Sequence, residues 1–209
     1  MSIRFADSLR AYVVLLVFSM LMTGCSLFKP APEIVDSDPT QQPLPAELVS
    51  AYNDGLSLLE DGEYLAAETH WQALAEQYGM FPGVMLNYAL SLYRLEKYED
   101  ALTQVSAAQA VNAEFCPAFS VRALIERELG QFREAESSYL SAISCNPQNA
   151  DARYNLGILY DLYLHDLPKA LEQYTQVQSM QSSSDERLSI WITDLERRAS
   201  AEQVAGEGS

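Results

Sequence analysis

Residues 116–136 read CPAFSVRALIERELGQFREAE and residues 150–174 read ADARYNLGILYDLYLHDLPKALEQY. In both, apolar residues recur at helical spacing, stop at a short polar break and then resume, the pattern of two consecutive amphipathic helices. The two stretches align at a period of 34 residues, and the same period finds two earlier copies. The copies are 48–81, 82–115, 116–149 and 150–184, the last with one inserted residue near its inter-helix turn. Repeat position 8 holds Gly55, Ala89, Ala123 and Gly157, and position 20 holds Ala67, Ala101, Ala135 and Ala170. Large residues recur at position 17 (Tyr64, Tyr98, Phe132, Leu167) and at position 24 (Trp71, Val105, Tyr139, Tyr174).

Small residues at positions 8 and 20 let two antiparallel helices approach closely, and the large residues fill the space around them. Gly62 and Gly130 stand where a first helix must end in a left-handed cap. Pro147 ends a second helix. This pattern resembles the tetratricopeptide repeat, and the resemblance implies an all-α solenoid of helical hairpins. Four repeats need a cap to cover the last apolar face. Residues 185–199, DERLSIWITDLERRA, supply one, with Leu188, Ile190, Trp191, Ile192 and Leu195 forming an apolar stripe. Asp185 and Glu186 suit the start of that helix, Arg197 and Arg198 its end, and residues 200–209 are expected to form a disordered tail. Arg122 and Glu126, at positions 7 and 11, stand where apolar residues are usual; four residues apart on one helix, they can pair.

Upstream of the repeats the chain reads as an address and a tether. Arg4 and Arg10 precede a short apolar run from Ala11 to Met22, the layout of a secretory signal peptide and too short to span a bilayer. Met22-Thr23-Gly24-Cys25 is similar to a bacterial lipobox, which implies cleavage after residue 24 and acylation of Cys25. An uncleaved anchor with an incidental cysteine is the alternative. Ser26, rather than Asp, follows the cysteine, and by resemblance to enterobacterial sorting this favours the periplasmic face of the outer membrane. Residues 25–47 then carry Pro30, Pro32, Pro39, Pro43 and Pro45, a tether rather than a folded segment.

The chain carries 13 basic and 29 acidic residues, a net charge of −16, which argues against nucleic acid as a partner. Without residues 1–24 the balance is 11 to 28, or −17. Repeat 48–81 holds six acidic residues and no Lys or Arg. Lipid accounts for one of the three cysteines. The others, Cys116 and Cys145, open the first helix and close the second helix of one hairpin, which places them at the same end; a disulfide is expected, with two free thiols as the alternative. His70 and His165 have no metal-ligand spacing with them, no cofactor is implied, and no catalytic signature occurs, so an enzyme is not expected.

The resemblance also implies where a partner binds. Tetratricopeptide arrays bind protein segments on a concave face lined by first-helix positions 2, 5, 6, 9, 12 and 13. Carried over residue by residue, that face holds Tyr52, Asn53 and Leu56, then Leu86, Asn87, Leu90, Tyr93 and Arg94, then Leu124 and Arg127, then Tyr154, Asn155 and Ile158. Asn53, Asn87 and Asn155 recur at position 6, where an amide can pair with a peptide backbone. The lysines with which some chaperone-type arrays clamp a C-terminal carboxylate are missing. The alternative is that these asparagines serve the fold and that the protein's own helices fill the groove. The strings NLGILYDLYL (155–164), ALEQY (170–174) and WITDLERR (191–198) are similar to small tetratricopeptide-repeat proteins that accompany TonB–ExbB–ExbD-type energy-transducing systems, or gliding and secretion machines related to them. That likeness implies a membrane-anchored periplasmic scaffold of an envelope complex. A type IV or Flp pilus or secretin assembly lipoprotein, and an adaptor for a periplasmic protease or cell-wall hydrolase, are the alternatives.

Overall fold

The structure, a computed structural model, describes residues 44–181 and 185–207, with side chains described through residue 201. The expected signal peptide, Cys25 and nearly all of the tether lie outside the described residues. Among the described residues all regular structure is helical. The first repeat is α1 (Ala46–Glu60) and α2 (Tyr64–Tyr78), the second α3 (Pro82–Arg94) and α4 (Tyr98–Val111), the third α5 (Cys116–Glu128) and α6 (Phe132–Cys145). The fourth is α7 (Ala150–Ile158), which continues as a π-helical turn over Leu159–Leu164, and α8 (Leu167–Met180). The capping helix α9 spans Glu186–Glu207.

Each first helix ends in the same way. The residue that turns the chain has a left-handed backbone: Gly62 (φ 78°), Glu96 (φ 60°), Gly130 (φ 74°) and His165 (φ 53°). The next residue's N–H bonds back into the helix: Glu63 to Leu58 O, Lys97 to Leu92 O and Gln131 to Glu126 O, each five residues back. This is the Schellman arrangement, which satisfies carbonyls that the helix end leaves open. In the fourth repeat the equivalent bond runs from Asp166 N to Tyr160 O, six residues back. The inserted residue is therefore absorbed by the π turn, and the cap survives displaced by one position.

The hairpins pack through the small residues at position 8. A Cβ added to Gly55 would lie 2.5 Å from a ring carbon of Trp71, and one added to Gly157 would lie 2.5 Å from Tyr174 Cε1. Ala67, Ala101, Ala135 and Ala170 are fully buried. Fully burying a side chain such as Leu156, Leu159 or Leu195 contributes about 1.5–3 kcal/mol. Arg122 and Glu126 do pair, Nε donating to Oε1 at 2.8 Å. The Ser138 hydroxyl donates to the other Glu126 oxygen at 2.6 Å, and Arg122 Nη1 donates to Gln109 Oε1 at 2.8 Å. With both oxygens bonded, the buried carboxylate links α4, α5 and α6 without an unsatisfied atom.

The cap differs from expectation in two ways. Leu188, Ile192 and Leu195 are buried, whereas Ile190 and Trp191 are exposed, because a 3.6-residue period cannot turn five such closely spaced residues to one side. The helix also continues past Ala199 to Glu207, through part of the expected tail. ASAEQVA contains no helix breaker, and the first glycine is Gly206. Arg197 and Arg198 consequently sit inside the helix rather than at its end, where Arg198 pairs with Asp161 of the fourth repeat at 2.8 Å. Asp185 caps the start of α9, its Oδ1 accepting from Arg187 N at 2.9 Å and Leu188 N at 3.3 Å.

Candidate partner-binding groove

The first helices α1, α3, α5 and α7 lie side by side, followed by α9. Single contacts mark three of the four junctions. Asn87 Nδ2 donates to Tyr52 Oη at 2.6 Å, Asn149 Nδ2 donates to Ser120 Oγ at 3.2 Å, and the Tyr154 and Trp191 rings stack at 5.9 Å. The face these helices share carries Asn53 and Arg94 exposed, with Tyr52, Leu56, Leu90, Tyr93, Leu124, Arg127, Tyr154, Asn155 and Ile158 half-buried.

Two expected groove residues depart from that role. Leu86 is buried, packed with Ala89, Leu92 and Val121 in the core of the second and third repeats. Asn87 is buried as well, and its amide nitrogen donates both to Tyr52 Oη and to Gly83 O, the latter at 3.0 Å. An amide nitrogen has two hydrogens, so Asn87 has none left for a partner and acts as a clasp between repeats one and two. The third asparagine, Asn155, spends one N–H on Asp151 O at 2.8 Å and keeps the rest of its amide.

Leu162, expected on this face at position 13 of the fourth repeat, is exposed after the π turn, while Tyr163 packs on Phe132 of α6. The capping helix lengthens the face beyond the sequence pattern: Trp191 stacks on Tyr154, and its neighbour Ile190 is exposed. Both stand in the sequence within the apolar stripe of the cap, where their spacing alone does not separate core from face. Two cavities interrupt the face. One, about 290 Å³, lies between the starts of α1 and α3 and is lined by Leu44, Leu48, Val49, Tyr52, Phe81 and Val84 among others. The second, about 350 Å³, lies between α5 and α7, with Ser120, Leu124, Tyr139, Asn149, Asn155 and the Cys116 end of a disulfide in its wall. The structure joins Cys116 to Cys145, with their Cα atoms 5.6 Å apart.

Charge on this face is largely paired. Arg127 donates to Glu128 at 2.9 Å and lies against the Tyr93 hydroxyl. Burial opposes the Arg127 charge, but the Glu128 hydrogen bond and the oxygens of Tyr139 and Tyr93 outweigh it, and its pKa lies above the ordinary value. Burial pushes the Tyr93 phenol up, so it stays neutral. Among the described residues no three His, Cys, Asp or Glu side chains gather closely enough to hold a metal ion. The face offers shape, apolar surface and hydrogen-bonding groups.

Family comparison agrees with this geometry. A model of the "Tetratricopeptide repeat" matches residues 52–114, and one of the "TPR repeat" matches residues 123–161. The fold is that of the tetratricopeptide repeat. No curated protein sequence matches the chain. Among solved structures, the array is similar to MamA of Desulfovibrio magneticus RS-1, at TM-score 0.64 and 17% identity over 79% of this chain and 92% of that one. It is similar to YrrB, a tetratricopeptide-repeat protein with an unusual peptide-binding site, at TM-score 0.58 and 22% identity over 69% and 73% of the two chains. The first repeat domain of Spaghetti (RPAP3), solved with the HSP90 peptide SRMEEVD, matches at TM-score 0.52 and 22% identity over 54% and 90%. At these identities the likeness is one of fold.

Proposed function

We propose that the protein is a lipid-anchored scaffold of the bacterial cell envelope that holds an extended segment of a partner protein along the face built by α1, α3, α5, α7 and α9. The observation that carries this reading is the row of half-buried Tyr and Leu side chains (Tyr52, Leu56, Leu90, Tyr93, Leu124 and Tyr154), to which the capping helix adds the exposed Ile190 and Trp191. Two tetratricopeptide-repeat relatives by fold take peptides, which supports a peptide-like ligand. Apolar anchors with a few main-chain hydrogen bonds suit an extended segment.

The lipobox-like Met22-Thr23-Gly24-Cys25 and the proline-rich stretch after it support anchoring on the periplasmic side of the outer membrane. A disulfide between Cys116 and Cys145 suits an oxidising compartment. No helix among the described residues is long and apolar enough to cross a membrane. A multiply acylated cysteine holds durably, at about 0.8 kcal/mol per buried methylene. The similarity of residues 155–164 and 191–198 to proteins accompanying TonB–ExbB–ExbD-type systems supports a place beside an energy-transducing complex. The test is fractionation of cells carrying Cys25→Ser. The protein and its partner are expected to separate, the scaffold leaving the membrane fraction; a variant that still sediments with membranes contradicts the anchor.

A further inference from the structure

The cavity of about 290 Å³ between the starts of α1 and α3 has an apolar lining in an acidic repeat. Leu48 and Val84 line it and are buried, and Phe81 beside them is half-buried. Leu44 and Val49 line it too, yet both are exposed. Large apolar side chains left exposed around a concavity mark a surface that something covers. The charge around it has one sign. From Leu44 to Tyr93 the sequence holds seven acidic residues and no Lys or Arg. Glu68 is drawn into an ion pair by Lys97 of the second repeat at 2.6 Å. Glu47 and Asp54, next in sequence to the lining residues Leu48 and Asn53, are exposed and have no ion-pair partner among the described residues.

We propose that this cavity seats an aliphatic or aromatic side chain of a partner segment that carries Lys or Arg at flanking positions. This rests on the groove reading above and names the chemistry of the partner at the first repeat. Two other occupants carry the wrong charge. Residues 30–43 of this chain hold Glu33, Asp36 and Asp38 and no basic residue, and a second copy would bring its own acidic first repeat. Either would set like charges against one another. The two features act on different rates. Exposed carboxylates steer a cationic segment toward the cavity and act on association, with a reach of about 8 Å at physiological salt. The apolar side chain, once desolvated against Leu48 and Val84, sets how long the segment stays.

The experiment selects peptides from a random phage-displayed library on the full-length protein in detergent micelles, synthesises the tightest binder and measures its association and dissociation rates. Binders with an aliphatic or aromatic residue close to Lys or Arg are expected. Val49→Asp, at an exposed position, should weaken binding about tenfold or more, because it sets a charge against the buried anchor. Leu44→Ser, which precedes the first helix and leaves its packing alone, should weaken it in the same direction. A Glu47→Lys, Asp54→Lys double variant should slow association about three- to tenfold at low salt and leave dissociation within about twofold. Near 1 M salt, where the screening length is about 3 Å, it should match the wild type. Binders without basic residues, or rates that the double variant leaves unchanged, overturn the cationic partner. Weakening by Leu162→Asp, with Val49→Asp and Leu44→Ser unchanged, overturns the cavity and leaves the groove standing. Affinity that none of these variants changes, or a library that yields no binder, overturns both. Tighter binding after deletion of residues 30–38 makes the chain's own segment the occupant. A dimer that Val49→Asp abolishes makes a second copy the occupant, and either result overturns the proposal.

Discussion

Gly157 on α7 lies against the Tyr174 ring of α8, so close that a Cβ at 157 would fall 2.5 Å from Cε1 and 2.8 Å from Cδ1. Tyr174 is itself buried and packs against Tyr154 and Trp191 at ring-centroid distances of 5.7 and 6.0 Å. One missing methyl group thus sets the spacing of the fourth hairpin and the seat of the capping helix. Gly157→Ala gains about 1 kcal/mol of helix propensity but costs about 1–3 kcal/mol of overpacking. A net loss of up to about 2 kcal/mol is expected by thermal or urea unfolding. In a Tyr174→Leu background the same alanine should cost less, and equal costs in both backgrounds would show that the two residues are not coupled.

The left-handed caps separate backbone strain from packing. Glu96 holds φ 60° where repeats one and three have glycine. Glu96→Gly should stabilise the protein by about 0.5–1 kcal/mol, because glycine adopts that backbone without a Cβ penalty. At Gly130 a Cβ would meet nothing within 4 Å, so Gly130→Ala should cost about 1 kcal/mol through the backbone alone. Paired denaturation curves check both signs.

Glu136 gives the fold a pH dependence. Burial raises its pKa, but hydrogen bonds from Tyr160 and Arg133 and the charge of Lys169 outweigh that and hold it below the ordinary glutamate value. A carboxyl with a lowered folded pKa contributes stability above its unfolded pKa and loses it as pH falls through the folded one. Glu136→Gln should therefore flatten the fall in stability on going from about pH 6 to about pH 3. An unchanged slope would remove Glu136 from the account.

The Cys116–Cys145 bond spans 29 residues in sequence. In the chain-entropy view, closing such a loop contributes about 3–4 kcal/mol. A Cys116→Ser, Cys145→Ser double variant should lose about that much, and reductant should shift the wild type but not the variant. Equal responses to reductant would contradict the bond.

The repeat, its hairpins and the glycine caps at Gly62 and Gly130 were legible because they are local: Gly130, Ala135 and Pro147 each act on the few residues beside them. The caps at Glu96 and His165 were not, because neither residue type signals a left-handed backbone. The inserted residue in the fourth repeat was legible too, but not its form. A π turn rather than a bulged loop follows from LYDLYL lacking any glycine or proline to break the helix. What the pattern hid lies between repeats. Asn87 looked like one rung of an asparagine row, yet its partner is Tyr52, one repeat away, and position alone does not distinguish a clasp from a ligand contact. Trp191 looked like core because its neighbours are core; its stacking on Tyr154 depends on where α9 docks.

The central claim, that the face of first helices holds a partner segment in the envelope, is tested most directly by site-specific photo-crosslinking in living cells. A benzophenone side chain is placed at the exposed groove positions Asn53 and Leu162, and at the exposed second-helix positions Thr103 and Ser137. The account predicts one discrete protein adduct shared by positions 53 and 162 and absent from 103 and 137. Adducts from 103 and 137, with none from 53 and 162, would contradict it.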